Sequence, residues 1–564
     1  MKRERRTPRV AAALKISPVL TLDDSSRRAI SEEVSRGLAD LLLVLGIPGD
    51  AAVELIATKD QDRLLHLVVN EERCLFPEEL LWRIHSYIHG TPLSQVQSPE
   101  ILKTAEAEPV QFLRLSCLEI MKRQPTILFG ADQCAAYQAS LPTPDPQPRG
   151  WPPSSEWLLP VLSQALSLGL SIADQQAVAN VLGEGIGKGR SQIEVGEDLV
   201  LALRPDVVEI RLPREYLQQM TTADAQRGHN TFALMRDGLF YELGLRYPNF
   251  RFVPGAELKA GSFGFKINHL TTLPHIGLRA DQFLVNDTPD RVSLLGIQGK
   301  PAINPANGNA CSYIASKDGP VAVSAGLTTW NLIEYLVLCM AAEVREHGAR
   351  FVNSRSAQHE LDQLALAFPA LVKAAQSRYS LEQVTQVLRR LIAEDISIRN
   401  LRLILESLLD YDYIVTDPAR FIIFDSRLPF PQKPDAARLN HPTNLTELVR
   451  SGMKRYISHK YTRGGNTLVV YLLDKEIERI LSDHLEKGTD LADDDRNRIL
   501  GAVRSEVGNL PPTSSRPVIL TTINLRPLAR KTIRPEFPGL PVLSYNELSP
   551  DINIQPIARI SLNS

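Results

Sequence analysis

Residues Leu391–Pro418 read LIAEDISIRNLRLILESLLDYDYIVTDP and predict two helices joined by a short turn. Apolar residues recur at helical spacing before the turn and again after it. The two apolar stripes consist of Val387, Leu388, Leu391 and Ile392, and of Leu401, Ile404, Leu405 and Leu408. Asp395 and Ser397 interrupt the pattern, and the Ser397 hydroxyl can cap the second helix by accepting a backbone hydrogen bond. Such a unit indicates packing rather than chemistry.

The second helix has a polar face opposite its apolar stripe. Arg402 and Glu406 lie one turn apart on that face. An ion pair at this spacing stabilises a helix by only a few tenths of a kcal/mol. We therefore expect the face to be either solvated or in contact with a partner, and the spacing alone does not choose between the two.

Further segments on both sides accompany this helix pair. They are NLTELVRSGMKRYISHKY (Asn444–Tyr461), NTLVVYLLDKEIERIL (Asn466–Leu481), PGLPVLSYNELSPDINIQPIARI (Pro538–Ile560), MRDGLFYELGLRYPNFRFV (Met235–Val253), FGFKINH (Phe263–His269) and GKPAINPANGNACSYI (Gly299–Ile314). Together they resemble the cytoplasmic domain of the FHIPEP family, the export gates of flagellar and type III secretion systems. Ala558 stands where the family pattern usually has glycine. The resemblance covers about residues 206–564.

The resemblance implies a fold and a function. The fold would be mixed α/β with several subdomains, in which small α/β units alternate with helical ones. The function would be protein–protein docking, because in this family the domain forms rings and docks chaperone–substrate complexes above the export channel. The family's helical subdomain contributes to ring contacts, so Arg399, Arg402 and Glu406 are the candidate interface residues. Expected partners are secretion-apparatus proteins, chaperone–substrate complexes, a second copy of this chain or a membrane-anchored family member.

Two other functions stay open. One is a stand-alone scaffold that works outside secretion, for example in a regulatory assembly. The other is an enzyme whose site local spacing does not reveal, since catalytic triads can be assembled from distant residues. The sequence favours a protein that is not an enzyme, and it predicts no catalytic, cofactor-binding or metal-binding residue.

Hydropathy sets this sequence apart from the family pattern, in which a multi-helix membrane domain comes first. A spanning helix needs about 20 apolar residues. The longest uncharged run, Trp157–Ala173, contains Pro160, Gln164 and three serines. We therefore expect a soluble cytoplasmic protein without a transmembrane segment, held at most peripherally at the inner membrane through its partners.

Composition is typical of a globular protein, with 43% hydrophobic and 23% charged residues among 564. This length predicts about three to five domains. The formal net charge is −2, which gives no electrostatic case for nucleic-acid binding. The odd number of widely spaced cysteines indicates free thiols in a reducing compartment. The five are Cys74, Cys117, Cys134, Cys311 and Cys339.

Three local patterns resemble ligand-binding motifs, but the spacing of their residues does not match those motifs. GEGIGKG (residues 183–189) lacks the first glycine and the Ser or Thr of a phosphate loop. His85 and His89 have two-ligand spacing, but no third ligand or adjacent glutamate accompanies them. The acidic run Ala492–Asp495 lacks the spacing of a calcium loop. We interpret these patterns as a flexible joint, helix-end histidines and a solvated loop or helix start.

The first 200 residues look like a degenerate copy of the part that follows. VLSQALSLGLSIADQQAVANVL (Val161–Leu182) aligns without a gap with VLRRLIAEDISIRNLRLILESL (Val387–Leu408). Identical residues occur at Val161, Leu162, Ser171, Ile172 and Leu182. Weaker matches follow in the same chain order, among them LHLVVN (Leu65–Asn70) with FGFKIN. This order predicts an internal duplication with unequal insertions.

The predicted organisation has seven parts. They are an N-terminal tail at 1–19, a degenerate copy at 20–182, a linker at 183–205, an α/β subdomain with an inserted small subdomain at 206–330, a helical subdomain at 331–427, a second linker at 428–443 and a C-terminal α/β subdomain at 444–564. Pro- and Gly-rich composition marks the joints, because such segments do not continue helices. Within the first copy, Leu141–Trp157 is predicted to be an extended loop.

Overall fold

The computed structural model describes residues 8–57, 64–205, 207–214, 216–218, 238, 240–246, 248–416, 441–489, 491–507 and 517–562, with the backbone alone in 411–416. The chain divides into two compact units, Met1–Asn353 and Ser354–Ser564. Helices alternate with several small sheets, which confirms the predicted mixed α/β fold. Among the described helices, none combines the length and apolar composition required to cross a bilayer.

The first unit begins with a four-stranded sheet. Its elements are β1 (Arg9–Ile16), α1 (Asp24–Leu45), β2 (Asp50–Ala57), β3 (Leu65–Val69) and β4 (Glu72–Leu75). The strand order is β2-β1-β3-β4, with β1 parallel to β2 and antiparallel to β3. The prediction of a tail at 1–19 is therefore wrong for Arg9–Ile16, which forms an inner strand. Its alternate residues Val10, Ala12, Leu14 and Ile16 are buried, as expected for a half-buried strand.

Seven helices follow this sheet in the first unit. They are α2 (Glu78–His89), α3 (Ser98–Ala107), α4 (Pro109–Arg123), α5 (Ala131–Ser140), α6 (Ser155–Ser167), α7 (Gln175–Gly187) and α8 (Gln192–Leu203). Their apolar faces share one hydrophobic core with β1 and β3. The proline-rich segment connects α5 to α6, so most of the predicted loop at Leu141–Trp157 is a connection without helix or strand.

The predicted linker at 183–205 is largely helical. α7 continues to Gly187, and α8 begins with a capping box in which Ser191 and Glu194 satisfy each other's backbone N–H groups. The glycines serve close packing rather than flexibility. A Cβ atom on Gly183 would lie 2.7 Å from Pro144, and one on Gly185 would lie within 2.4 Å of Val195. Glycine-rich composition therefore reflected tight helix contacts instead of a flexible joint.

A second sheet repeats the topology of the first. It contains β5 (Val207–Leu212), β6 (Asn249–Pro254), β7 (Ser262–Ile267), β8 (Leu270–Thr271) and β9 (His275–Ile276). The order is β6-β5-β7-β8, with β5 parallel to β6 and antiparallel to β7, while β9 pairs with β7. Order and strand directions match those of β2-β1-β3-β4, which supports the duplication as a proposal.

The small inserted subdomain is an antiparallel sheet with two short helices. Its elements are β10 (Gln282–Val285), α9 (Pro289–Ser293), β11 (Lys300–Ile303), β12 (Ala310–Ala315), α10 (Gly319–Ser324) and β13 (Thr329–Trp330). The next helix, α11 (Leu332–Glu346), buries Leu336 and Met340 in the core beneath β5 and β7. The helical subdomain predicted at 331–427 thus begins later, because α11 belongs to the first unit.

The second unit opens with helices. They are α12 (Ser354–Ala367), α13 (Pro369–Arg378), α14 (Leu381–Ala393), α15 (Leu401–Thr416) and α16 (Pro442–Gly452). α14 and α15 are the helix pair predicted from Leu391–Pro418. Residues 417–440, which include most of the predicted linker at 428–443, lie outside the described residues.

A parallel α/β subdomain completes the second unit. Its elements are α17 (Lys454–Thr462), β14 (Thr467–Leu473), α18 (Lys475–Lys487), α19 (Asp493–Val507), β15 (Val518–Thr521), α20 (Arg526–Ile533), β16 (Val542–Ser544) and β17 (Asn553–Ile560). The strand order is β16-β15-β14-β17, and all neighbours are parallel. Such a sheet needs cover on both faces, and the intervening helices supply it.

Candidate functional site

The turn between α14 and α15 positions the candidate interface residues. Asp395 has a left-handed backbone with φ of 57°. The Ser397 hydroxyl accepts a hydrogen bond from Arg399 N over 3.3 Å. It therefore accepts a backbone hydrogen bond, as predicted. However, the residue that caps α15 is Asn400, whose Oδ1 accepts from Leu403 N over 3.1 Å. The turn is therefore held by two successive side-chain caps.

Arg399 lies in the turn before α15, and Arg402 and Glu406 lie on the outer side of its first two turns. Arg402 Nε donates to Glu406 Oε1 over 2.7 Å, and their side chains are 54% and 38% exposed. Arg399 is exposed as well. An exposed pair contributes little to folding, about 0–1 kcal/mol. The geometry leaves this face accessible, and its role in an interface stays a prediction.

Exposed apolar side chains at the junction of α12 and α13 lie beside Arg402. The sequence did not lead us to predict them. The Arg402 guanidinium stands 4.6 Å from the centre of the Phe368 ring, at cation–π distance. Phe368 separates α12 from α13 and is 37% exposed, and Leu366 nearby on the chain is 81% exposed. The run LALAFPA (residues 364–370) is the sequence signal, since it places seven uncharged residues at a helix junction. Exposed apolar groups next to a cation are common at protein interfaces.

Five ionisable side chains lie together in the interior of the second unit. They are Glu394, Glu447, Arg450, Arg526 and Glu547. Arg526 donates to both oxygens of Glu394, over 2.6 and 3.1 Å, and to both oxygens of Glu447. Arg450 donates to Glu547 over 2.6 Å and to Glu394 over 3.2 Å. The network joins the end of α14 and α16 to the start of α20 and the turn at Tyr545–Glu547.

Electrostatics within this network favour the ionised forms of most members. Burial alone would raise the pKa of Glu394, but Arg450 and Arg526 outweigh it and lower that pKa to about 2. Burial raises the pKa of Glu447, and its arginine partners offset this only in part. Removing one member of a buried network leaves an uncompensated charge, which costs about 3–5 kcal/mol. The network therefore fixes the geometry of this unit.

The sequence contained a signal for the network. Glu447 and Arg450 occupy buried positions of the helix in NLTELVRSG, where an amphipathic pattern would place apolar residues. Glu547 lies in the LSYNEL segment. Charged residues at buried positions in two separate segments indicate that the segments pair, but sequence alone does not show which charges meet.

A second ion cluster lies in the first unit around the buried Glu343. Glu343 and Glu346 on α11 and His347 just after it place potential metal-ligand atoms within 4.8 Å of one another. However, Arg83 donates to Glu343 over 2.7 Å, and Arg123 lies 3.0 Å from Glu346. Burial alone would raise the pKa of Glu343, but Arg83 outweighs it and holds that pKa well below its usual range. The two arginines would repel a metal cation at this position. We therefore interpret the cluster as a set of ion pairs that connects α2, α4 and α11.

The two histidines of α2 share one hydroxyl group. His85 Nδ1 lies 2.8 Å and His89 Nε2 lies 3.0 Å from Thr104 Oγ1. Thr104 itself donates to Glu100 O over 3.0 Å, so its oxygen can accept from both rings. Burial and His89 lower the pKa of His85. The pair thus ties α2 to α3.

Comparison with known proteins identifies the family of this chain. The model of the FHIPEP family matches residues 158–553. The chain belongs to the FHIPEP family. The match begins at 158 rather than near 206 as expected, so it includes α6 to α8. The sequence-based resemblance to this family is confirmed.

Curated proteins from several bacteria are similar to this chain. Low calcium response locus protein D of Yersinia pestis is 28% identical over 333 residues, which cover 58% of this chain and 44% of that protein. Invasion protein InvA of Salmonella typhimurium is 24% identical over 331 residues, with the same coverage of both proteins. Flagellar biosynthesis protein FlhA of Bacillus subtilis is 23% identical over 398 residues, covering 66% of this chain and 54% of FlhA. The chain thus spans about half the length of these relatives or less.

Solved structures show a similar fold. The Chlamydia pneumoniae CdsV protein is 27% identical, with a TM-score of 0.53, and the likeness covers 63% of this chain and 97% of that chain. CdsV in a complex with CdsO is 26% identical with a TM-score of 0.53, covering 64% and 98%. Nearly all of the CdsV chain in these structures therefore has a counterpart here.

Proposed function

We propose that this chain is a protein-docking platform of a type III or flagellar-type secretion apparatus. The observation that carries the proposal is the FHIPEP match over residues 158–553. The CdsV structure, matched over 97% of its length, supports it, and that relative has been solved with CdsO. Docking is a function of surfaces and requires no catalytic residue. Its partners would be secretion-apparatus proteins or chaperone–substrate complexes.

A docking surface works best on a rigid support. In the second unit, the buried network around Arg526 holds α14, α16 and α20 in one arrangement. The turn with Arg399 and the pair Arg402–Glu406 extends from the end of α14, which that network holds. These residues therefore start from a defined geometry, and binding would cost little ordering entropy.

We propose that the same region carries self-association or association with a membrane-anchored family member. Arg402 and Phe368 combine a cation with an exposed aromatic ring, and Leu366 adds an apolar side chain. Arginine and aromatic residues dominate the binding energy of protein interfaces. A second family chain is a partner with matching architecture. The association would take place in the cytoplasm, and contact with the inner membrane would be indirect.

Co-purification tests the docking function. An affinity-tagged full-length chain would be isolated from cells that carry the secretion apparatus, and bound proteins would be identified by mass spectrometry. We expect a membrane-anchored FHIPEP protein or other apparatus components among them, and fewer with the Arg402→Glu variant. Recovery of partners from an unrelated assembly alone would instead support a scaffold outside secretion.

A further inference from the structure

The helix α17 exposes a row of basic side chains on its outer side. Arg455 and His459 lie one turn apart on its outer side, and Arg463 follows at its end. Ile457 and Ser458 face the interior. Within the described part of the chain, no carboxylate pairs with Arg455 or Arg463. We call Arg455, His459 and Arg463 the α17 basic row.

Helix stability explains the basic residues at only one end of α17. Cations near a helix C-terminus interact favourably with the helix dipole, which accounts for Lys460 in the last turn. Lys454 and Arg455 occupy the first turn, where the same dipole disfavours positive charge. Their positions thus cost some helix stability, and nothing within the described residues compensates Arg455.

The adjoining turn extends the positive surface. Tyr456 OH accepts a hydrogen bond from Ser397 N over 3.3 Å, and Lys460 Nζ donates to Asp395 O. These two contacts place the outer side of α17 next to the turn that carries the exposed Arg399. The surface therefore runs from the α17 basic row towards the start of α15.

We propose that the α17 basic row binds an acidic segment of a partner polypeptide, which deepens the docking function proposed above and rests on it. Carboxylate side chains are complementary to guanidinium groups and can pair with them bidentately. The row spans roughly 12 Å, eight residues at 1.5 Å per residue, which suits a short peptide segment. Such a contact would contribute specificity and association rate.

Broad polyanions fit this region less well. The same α/β subdomain exposes an acidic set consisting of Asp483, Glu486, Asp493 and Asp494. The whole chain has a formal net charge of −2. Membranes and nucleic acids require an extended basic face, whereas a short acidic peptide requires only the row itself.

Binding of a labelled poly-L-glutamate probe to the full-length chain tests the proposal, with fluorescence anisotropy as the readout. We expect salt-sensitive binding that weakens about tenfold or more in the double variant Arg455→Glu, Arg463→Glu. The matched control is Lys188→Glu, Lys487→Glu, which changes the net charge by the same amount at two exposed lysines outside the row. The control should bind like the unmodified chain, and thermal unfolding should show that both variants fold.

Three results would overturn the proposal. They are absence of probe binding to the unmodified chain, equal weakening in the control, and stronger binding to vesicles containing anionic lipid or to DNA than to the probe. Failure of the docking function would look different. In that case the chain would recover no secretion protein from cells even though the probe bound the row.

Discussion

Gly169 and Asp395 hold the same left-handed backbone conformation, with φ of 69° and 57°, at the same point of two helix–turn–helix segments. The hydrogen bonds around them also correspond. Leu170 N donates to Ala165 O over 3.1 Å, and Ile396 N donates to Leu391 O over 2.9 Å. The helices that follow are capped by Asp174 and Asn400 at matching positions. Together with the shared order of the two sheets, this correspondence supports an internal duplication, which we propose as the origin of the N-terminal copy.

The two turns should respond differently to substitution. Gly169→Ala should lower stability by about 1–2 kcal/mol, because its φ is positive and a Cβ would lie 3.0 Å from Leu270. Asp395→Gly should change stability by less than about 0.5 kcal/mol, since glycine adopts this conformation readily. Hydrogen exchange at each turn, read by mass spectrometry, measures both effects. Equal destabilisation by the two changes would contradict the assignment of both turns to one geometry.

The network around Arg526 should dominate the stability of the second unit. Arg526→Met should destabilise it by about 3–5 kcal/mol, because the carboxylates of Glu394 and Glu447 lose their counter-ion. Arg402→Met is the matched control at an exposed pair and should cost less than about 1 kcal/mol. Urea unfolding with hydrogen exchange in α16 and α20 separates this transition from that of the first unit. Similar costs for both variants would refute the structural role of the network.

Acid should weaken the second unit through Glu394. Its pKa of about 2 lies below the ordinary value of 4.5, so its ionised form stabilises the fold fully above about pH 4.5. That contribution, on the order of 3 kcal/mol, is lost as the pH falls from 4.5 towards 2. The raised pKa of Glu447 acts in the opposite direction and makes the net slope shallower. Between pH 5 and 3, the urea concentration at the unfolding midpoint should fall for the unmodified chain and change less for Glu394→Gln. If the midpoints of the two proteins fall in parallel with pH, Glu394 is not the group responsible.

Charge reversal should separate association from folding. Arg402→Glu should weaken association with a second FHIPEP chain several-fold, because it removes the cation beside Phe368 and repels Glu406. Its thermal midpoint should shift little. Lys188→Glu is the matched control, since Lys188 forms a comparable exposed pair with Glu184 on α7, the counterpart of α15. If the control weakens association as much as Arg402→Glu does, the effect is one of net charge rather than of this surface.

The sequence predicted the elements with strong periodicity. The pair α14–α15 lies where the patterns placed it, because apolar spacing there directly reflects burial. It did not predict β1, whose alternation is hidden in the run AAALKI, where alanine occupies buried and exposed positions alike. It also mistook the glycines near Gly185 for a flexible joint, because composition does not reveal what packs against a glycine.

The candidate site was predicted in part. Arg402 and Glu406 are exposed and paired, as their helical spacing indicated. The buried network and the stacking of Arg402 on Phe368 were not predicted, because their members are far apart in sequence and meet only through tertiary packing. Periodicity describes one element at a time and contains no information on which faces of two elements meet.

Sedimentation velocity of the full chain tests the docking platform most directly. The chain would be measured over a wide concentration range, alone and with a detergent-solubilised, full-length FHIPEP protein. We predict a sedimentation coefficient that rises with concentration, or co-sedimentation with the membrane-anchored relative, and a loss of either effect in Arg402→Glu. A chain that stays monomeric at high concentration and does not co-sediment with the relative would contradict the account.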